Sequence, residues 1–420
     1  MNKSLLIIIL GWMICHSWAM AQCDDGRYVQ QIFDNVEVQT DVLFGSTIDP
    51  LGNPIDLYMD VYQPAGDTQE ARPLILLAYG GSFTAGSKES PDIVALCDSL
   101  ARYGFVTAAI SYRLEQPLNL LYVEKMIQII YMSVYDGKAA VRYFRKDAAE
   151  DNEYRVNSDE IFFGGVSAGA ILAIHLAYLN EVDDLQGQFL DAFEGLGVGF
   201  EGDSGNLGYS SEIQGVISLA GAVGLPEWID EGEAPIVSIH SVNDGTVLYG
   251  IGSPLQATWL PNMYGSSPIA DRAEEVGVRN VLHSYDSSAH PPFAVGGIDY
   301  GILSENIEQI TTFLAPDLEC PMVQDTMVED TTTTGVYQLT EVNSVRVYPN
   351  PVYDNLTVEL IEVPVDGVKI RIFDSVGREV ISEVSFDRMT KISTDRLSSG
   401  IYHVLLRKGQ ELIGTKISVQ

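Results

Sequence analysis

The sequence predicts an α/β fold, a mostly parallel sheet covered by helices, followed by a small all-β sandwich domain. Three observations predict it. Between residues 55 and 314, continuous apolar runs of strand length alternate with amphipathic helical stretches. From about residue 344 the pattern changes to short alternating runs divided by turn pairs such as Asn350-Pro351, Asp366-Gly367 and Ser399-Gly400. Between the two lies Thr331-Thr332-Thr333-Thr334-Gly335 with acidic flanks, which reads as a linker.

The apolar runs place strands at 56–62, 74–79, 105–112, 161–166, 215–219, 236–240 and 280–285. Helical periodicity marks 93–103, 135–149, 168–179 and 304–314. Strands apolar along their whole length, separated by helices, belong to parallel sheets buried on both faces. Such sheets bind ligands at the carboxyl ends of their strands, so the residues just past each strand are the informative ones. The glycine-rich segment 181–211 breaks the rhythm and reads as an insertion over the top edge of the sheet, a candidate lid. Its formal G-x-G-x-x-G match, Gly197, Gly199 and Gly202, follows no strand and opens no helix, which argues against a dinucleotide site. In the C-terminal part the expected strands are 345–348, 356–360, 369–373, 379–384, 402–406 and 413–419, a sandwich of about 75 residues.

The first residues read as a secretory signal. Lys3 is followed by an apolar run over 5–15, too short to span a bilayer, and by Ala19-Met20-Ala21 as a small-x-small cleavage site. A lipoprotein reading would use Cys23, but Gln22 is a poor residue before such a cysteine. Once Cys15 has left with the signal, Cys23, Cys97 and Cys320 remain. A bridge between Cys23 and Cys320 would tie the ends of the large domain together and leave Cys97 a buried thiol in a helix; three unpaired thiols are the alternative. No later apolar stretch is long enough for a transmembrane segment.

The formal charge is −34. From Ser344 onward ten basic residues balance ten acidic ones, so the whole excess sits in the first domain and linker. Such a surface repels nucleic acid and anionic membranes and suits a soluble exported protein.

The main chemical signal is Gly165-Val166-Ser167-Ala168-Gly169, between the apolar run Ile161-Phe162-Phe163 and the helical run that starts at Ala170. A serine on a sharp strand-to-helix turn is pushed out above the sheet, and the helix N-terminus favours developing negative charge. A tight packing turn of small residues would look the same. A serine nucleophile needs a base. Of the six histidines, His16 leaves with the signal, His403 lies in the C-terminal module, His175 sits about two turns down the helix that Ser167 opens, and His283 is inside a strand. His290, just past the last strand of the large domain, is the favoured base and His240, at a strand end, the alternative. Asp244, in the turn Asn243-Asp244-Gly245, is the favoured orienting carboxylate, with Asp230 and Glu231 competing. Backbone amides of the glycine turn Tyr79-Gly80-Gly81-Ser82-Phe83 and of Ala168 would stabilise an oxyanion. The sequence holds no H-E-x-x-H, no C-x-x-C and no phosphate-loop motif, so neither a metal nor a cofactor is expected.

These blocks carry a resemblance. Residues Leu57 to Pro64, Tyr79 to Phe83, Ser111-Tyr112-Arg113-Leu114, Gly165 to Gly169 and His240 to Val247 resemble successive blocks of the carboxylesterase and hormone-sensitive-lipase-like α/β-hydrolases, over roughly residues 27–315. The resemblance implies an α/β-hydrolase fold and hydrolysis of carboxylic esters through an acyl-enzyme, without a cofactor. Carried over by position, it implies oxyanion amides at Gly81, Ser82 and Ala168. The family's oxyanion block usually reads H-G-G-G; here Tyr79 stands at its histidine and Ser82 at its third glycine. Val347-Tyr348-Pro349-Asn350-Pro351, Ile372-Phe373-Asp374 and Leu397 to Tyr402 resemble the C-terminal sorting domain of type IX secretion cargo, which implies export through that machinery and release or surface attachment. A sandwich that binds carbohydrate or protein is the alternative for this module. The expected organisation is a signal peptide over 1–21, a catalytic domain over 22–318, a linker over 319–343 and a sorting domain over 344–420. The expected function is a secreted serine esterase acting on a small or polymer-linked ester. A polysaccharide deacetylase or peptidase on the same residues, or an inactive exported binding protein, are its alternatives.

Overall fold

Apolar residues that run without interruption along a strand are satisfied only where both faces of a sheet are covered. The computed structural model of the chain describes residues 26–318 except 181 and 295, and in the C-terminal part 345–348, 352, 355–360, 368–373, 379–385, 388–394, 396–408 and 411–419. They fall into two compact units, divided near residue 324. The expected signal sequence, the pair Cys23 and Cys320, and the expected linker lie outside the described residues.

The first unit is built in chain order from β1 (Val36–Ile48), β2 (Pro54–Pro64), β3 (Arg72–Ala78), α1 (Pro91–Arg102), β4 (Val106–Ile110), α2 (Val123–Ala149), β5 (Val156–Val166), α3 (Ala168–Tyr178), α4 (Gln188–Glu194), β6 (Gly215–Leu219), β7 (Ile236–Ser241), β8 (Ile251–Gly252), β9 (Met263–Tyr264), α5 (Ser266–Val276), β10 (Asn280–Tyr285) and α6 (Tyr300–Leu314). Eight strands form one sheet in the order β1-β2-β4-β3-β5-β6-β7-β10. The pairs β1/β2 and β2/β4 are antiparallel and all later neighbours are parallel. Every residue of β3, β4, β6 and β7 is buried, the apolar ones and the polar Thr107, Ser218, Ser238 and His240 alike.

The strand order positions the site. From β3 the chain crosses to β4 on one side, and from β4 it returns to β5 on the other side of β3. The carboxyl ends of β3 and β5 therefore flank a topological switch point, the crevice where open α/β sheets bind ligands. Residues 79–83 and 165–169 emerge there.

Strands 215–219 and 280–285 coincide with β6 and β10, and the other expected strands of this unit differ from those observed by up to five residues at either end. Strand β1 has no counterpart in the sequence reading. It is an edge strand, largely exposed, with register shifts at Gln39/Val42 and Leu43/Gly45 that break its alternation. Helix α2 begins at Val123 rather than at 135, because its first half is apolar on nearly every face and shows no amphipathic period. Cys97 is a buried free thiol in α1.

Segment 181–211 reaches the upper edge of the sheet on the β1 side, where the Ser204 hydroxyl accepts from Arg113, just past β4, at 3.0 Å. Helix α4 packs on α2, and the chain after it is fastened down by polar contacts. Glu201 is bound by Lys138 at 3.1 Å, by Arg142 at 2.8 Å and by the Ser211 hydroxyl. Asn206 Nδ2 donates to the Phe44 carbonyl at 2.6 Å, and Ser46 N–H to the Ser204 carbonyl at 3.2 Å. The segment is a strap joining α2 to β1, held by groups that lie far apart in the sequence.

Beneath the strap, Arg113 and Asp136 form a buried ion pair at 2.9 Å. The Arg113 guanidinium also reaches the Ile48 and Met132 carbonyls, and the Ser204 hydroxyl donates to Asp136 at 2.6 Å. The network links the end of β1, the loop after β4, α2 and the strap. Among the described residues, no helix is long and apolar enough to cross a membrane.

The second unit holds β11 (Val345–Tyr348), β12 (Asn355–Leu360), β13 (Val368–Phe373), β14 (Glu379–Ser385), β15 (Met389–Ser393), β16 (Gly400–Lys408) and β17 (Glu411–Val419). They form two antiparallel sheets, β11-β12-β15 and β14-β13-β16-β17. Val368, Ile370 and Ile372 of β13 join Leu356 and Val358 of β12 in one core. Strand β15, which the sequence reading lacks, contributes only Ile392 to that core.

Removing one member of a buried ion pair strands the other charge. Asp136→Ala lowers the unfolding free energy of the first unit by about 3–5 kcal/mol, read from urea denaturation curves. A loss below about 1 kcal/mol would show that the strap holds without the pair.

Candidate active site

Ser167 stands where β5 turns into α3. Its backbone has φ 56° and ψ −117°, a conformation that costs a non-glycine residue about 1–3 kcal/mol. The flanking glycines explain how the turn closes. A Cβ on Gly169 would lie 2.0 Å from the Ala78 carbonyl oxygen, and one on Gly165 would lie 2.4 Å from the Gly169 carbonyl carbon. No side chain fits at either position, so the first turn of α3 lies directly on the end of β3. The Ser167 N–H donates to the Leu219 carbonyl of β6 at 2.8 Å, and its carbonyl accepts from Ile171 at 2.9 Å. With its backbone held on both sides, the residue is only 8% exposed.

Two loops bring polar side chains to this serine. The Val242 and Asn243 N–H groups donate to the Tyr285 and Ser287 carbonyls at 2.9 and 3.0 Å, which zips the loop after β7 to the loop after β10. From the second loop His290 places Nε2 2.7 Å from Ser167 Oγ and Nδ1 2.5 Å from Asp244 Oδ2. The other Asp244 oxygen accepts from the Thr246 and Val247 N–H groups at 2.8 and 3.2 Å. Burial pushes the Asp244 carboxyl up, but hydrogen bonds from His240 and His290 outweigh it and hold the group below the usual carboxylate range. The competing carboxylates lie elsewhere: Asp230 is exposed and faces Arg272 at 3.3 Å, and Glu231 is exposed beside it.

The glycine turn after β3 closes the third side. The Gly81 carbonyl accepts from the Thr84 and Ala85 N–H groups at 3.0 and 3.1 Å, and Ser82 and Phe83 follow with φ 54° and 59°. Tyr79 is buried beneath this turn, stacked on Tyr112 at 4.4 Å. The Tyr112 hydroxyl donates to the Tyr79 carbonyl at 2.7 Å, so the Ser111-Tyr112-Arg113 stretch braces the turn. Burial raises both phenols, Tyr79 to about 12. Ala168 is the first residue of α3, where backbone N–H groups lack partners within the helix. Gly80, Gly81, Ser167 and His290 line a broad, open cavity of about 540 Å³ together with Asp92 and Tyr300.

Residues 59–233 match the BD-FAE family model, and residues 346–420 match the secretion system C-terminal sorting domain. The first unit is an esterase-like α/β-hydrolase domain, and the second is a secretion sorting domain. Among solved structures the chain is similar to esterase 2 of Thermogutta terrifontis. Its apo form is 20% identical, with a TM-score of 0.49, over 67% of this chain and 94% of that one. The same enzyme phosphorylated by paraoxon is 21% identical, with a TM-score of 0.48, over the same shares. Its propionate-bound form is 21% identical, with a TM-score of 0.45, over 70% of this chain and 94% of that one. No curated protein matches the chain.

Within the hydrolase domain, two residues at or beneath the cavity, Asp92 and Tyr112, escape a reading of the sequence from its chemistry. Asp92 opens α1, and nothing in its neighbourhood marks it as a cavity residue. Tyr112 is visible only as part of a resembling block. His240, the alternative base, contacts Asp244, Ser266 and the Val247 carbonyl rather than Ser167. His175 lies in the core of α3, with Nδ1 2.7 Å from the Ile171 carbonyl and Nε2 accepting from Gly224 N–H at 3.3 Å. None of the described residues of 181–211 is among those lining the cavity beside Ser167.

Burial lowers His175 from 6.5 to about 4. The unfolded chain therefore binds one more proton between those values. The associated stability is complete above about pH 6.5 and is lost as pH falls toward about 4, by on the order of 3 kcal/mol. Urea unfolding at several pH values should show this decline in the wild type and a shallower one in His175→Gln. Identical slopes would place the pH dependence on other groups.

Proposed function

We propose that the hydrolase domain cleaves carboxylic esters through Ser167 as nucleophile, His290 as base and Asp244 as orienting carboxylate. The observation that carries this reading is the unbroken hydrogen-bonded chain from Asp244 Oδ2 through His290 to Ser167 Oγ, with steps of 2.5 and 2.7 Å, opening into a cavity at the sheet's switch point. Ser167 Oγ attacks the ester carbonyl while His290 Nε2 takes its proton. The oxyanion that forms is stabilised by backbone N–H groups of Gly81, Ser82 and Ala168, beside the N-terminus of α3. His290 then returns the proton to the departing alkoxide, leaving an acyl group on Ser167. Water, deprotonated by the same imidazole, attacks the acyl carbonyl, and collapse of the second tetrahedral species releases the acid and restores Ser167. Asp244 keeps the proton on His290 Nδ1 and offsets the imidazolium charge.

The cavity supports a neutral, polymer-linked ester as the substrate class. It is open rather than tunnel-like, Tyr300 stands 70% exposed at its edge, and Asp92 offers a carboxylate to hydroxyl groups. An exposed aromatic ring beside a hydrogen-bonding carboxylate suits the face and edge of a sugar ring. The sorting domain supports export: we read residues 1–21 as a signal removed on the way and the C-terminal unit as the part recognised by type IX secretion, with release or surface attachment.

A fluorophosphonate should label the purified mature protein, and Ser167→Ala should abolish labelling and cut kcat on short nitrophenyl esters by on the order of 10⁶-fold. An unlabelled wild type would favour the binding-protein reading, and a labelled Ser167→Ala would move the nucleophile elsewhere. Asp92→Asn should raise kcat/KM for esters carrying a carboxylate by about five- to tenfold relative to neutral esters, since it removes a like charge from the cavity. An unchanged ratio would show that Asp92 does not meet the substrate.

A further inference from the structure

Two histidines converge on one carboxylate oxygen. Asp244 Oδ2 is approached by His290 Nδ1 at 2.5 Å and by His240 Nε2 at 3.3 Å. His240 is the penultimate residue of β7 and is fully buried. The hydrogen bonds fix its tautomer. Nε2 lies 3.0 Å from the Val247 carbonyl, which can only accept, so Nε2 carries a proton. Nδ1 lies 2.8 Å from the Ser266 hydroxyl, at the first turn of α5, and with a single proton on the ring it accepts from that hydroxyl. The Tyr249 ring stands edge-on at 5.6 Å and closes the flank. The ionisable groups around the ring are thus Asp244, His290 beyond it and the Tyr249 phenol; the adjoining β10 supplies Ser284 at the same level.

We propose that His240 is a positioning residue of the ester-hydrolysing site, a second donor to the carboxylate that orients His290. The inference rests on the function proposed above. A purely structural histidine would be satisfied by Val247 and Ser266; this one shares its Nε2 proton with the oxygen that also holds His290. Two donors on Oδ2, with two backbone amides on Oδ1, leave the carboxylate no freedom to rotate. They also disperse its charge, so the proton shared with His290 stays on Nδ1 and the imidazole remains free to accept from Ser167.

The test compares His240→Phe, which fills the space without a donor, with His240→Gln, whose Nε2 can reach the same acceptors. With Phe, kcat falls about 10- to 100-fold, KM stays within about twofold, fluorophosphonate labelling is slowed but retained, and the acid limb of the kcat/KM profile moves to higher pH. Gln recovers most of kcat and brings the limb back. Unchanged kcat and limb in His240→Phe overturn the proposal, and so does an equal loss in both variants, which would mark a packing role. If thermal melts show that His240→Phe does not fold, Ser266→Ala, which removes the hydroxyl partner of Nδ1 and loosens the ring, must give a smaller shift of the limb in the same direction. No shift there overturns the proposal. A wild type that neither turns over esters nor takes the label would sink the ester-hydrolase reading itself; an active wild type with indifferent variants sinks only the role of His240.

Discussion

The contact on which the site depends is the one between the first turn of α3 and the end of β3. A helix that starts immediately after a strand must either swing away from the sheet or press its first turn onto the neighbouring strand. Here it presses so closely that a methyl group at Gly169 would meet the Ala78 carbonyl at 2.0 Å. The cost is the strained backbone of Ser167, and the strain is held by bonds to Leu219 and Ile171 on either side. The consequence is one of position. The serine is lifted to the crevice between β3 and β5, with the amides of the 79–83 turn on one side and those of the helix start on the other. In the reaction proposed above those amides are the donors to the developing charge, and electrostatic stabilisation is strongest where such donors are fixed in advance.

A second constraint acts from the other edge of the sheet. The parallel pair β7/β10 delivers two loops side by side, and main-chain hydrogen bonds between them hold His290 opposite Asp244. Asp244 is immobilised by donors on both oxygens before His290 reaches it. The carboxylate is buried yet ionised because those donors more than offset the cost of leaving water. The two ends of the hydrogen-bonded chain are thus anchored independently, Ser167 by the β3–α3 crossing and Asp244 by its own turn. His290 is the member that bridges them, and it is the most exposed of the three. Proton transfer asks for this division, since the imidazole changes partners while the groups on either side do not move.

The legibility of these features in the sequence depends on their physics. Central strands declare themselves because burial on both faces favours long apolar runs, and β6 can be read to the residue, as can the edge strand β10. Ser167, Asp244 and His290 can be singled out because each follows such a strand within a few positions. Edge strand β1 cannot, since exposure and two register shifts erase its period. The first half of α2 cannot, because a helix buried on nearly all sides has no polar face to reveal its pitch. The path of the strap cannot be read either, because glycine content reports irregular backbone and says nothing of where that backbone goes; the partners that hold it, Arg142, Lys138 and Phe44, lie more than fifty residues away. His240 shows the sharpest limit. A histidine at a strand end beside an aspartate four residues on is compatible with acting as base, orienter or core residue, and only the direction of its ring separates them.

Charge acts on the reaction from beyond the site itself. The formal charge of −34 belongs to the hydrolase domain and its linker, while the sorting domain is balanced. The net negative charge of this part of the chain, and Asp92 in the cavity wall, raise the energy of an anionic substrate on approach and on binding. The product of ester cleavage is a carboxylate. The field that disfavours anionic esters therefore also drives the acid product out of the open cavity, beside an Asp244 that stays ionised because of its own donors. The acidic composition and the open shape act in the same direction on the reaction proposed here: neutral ester in, anionic acid out.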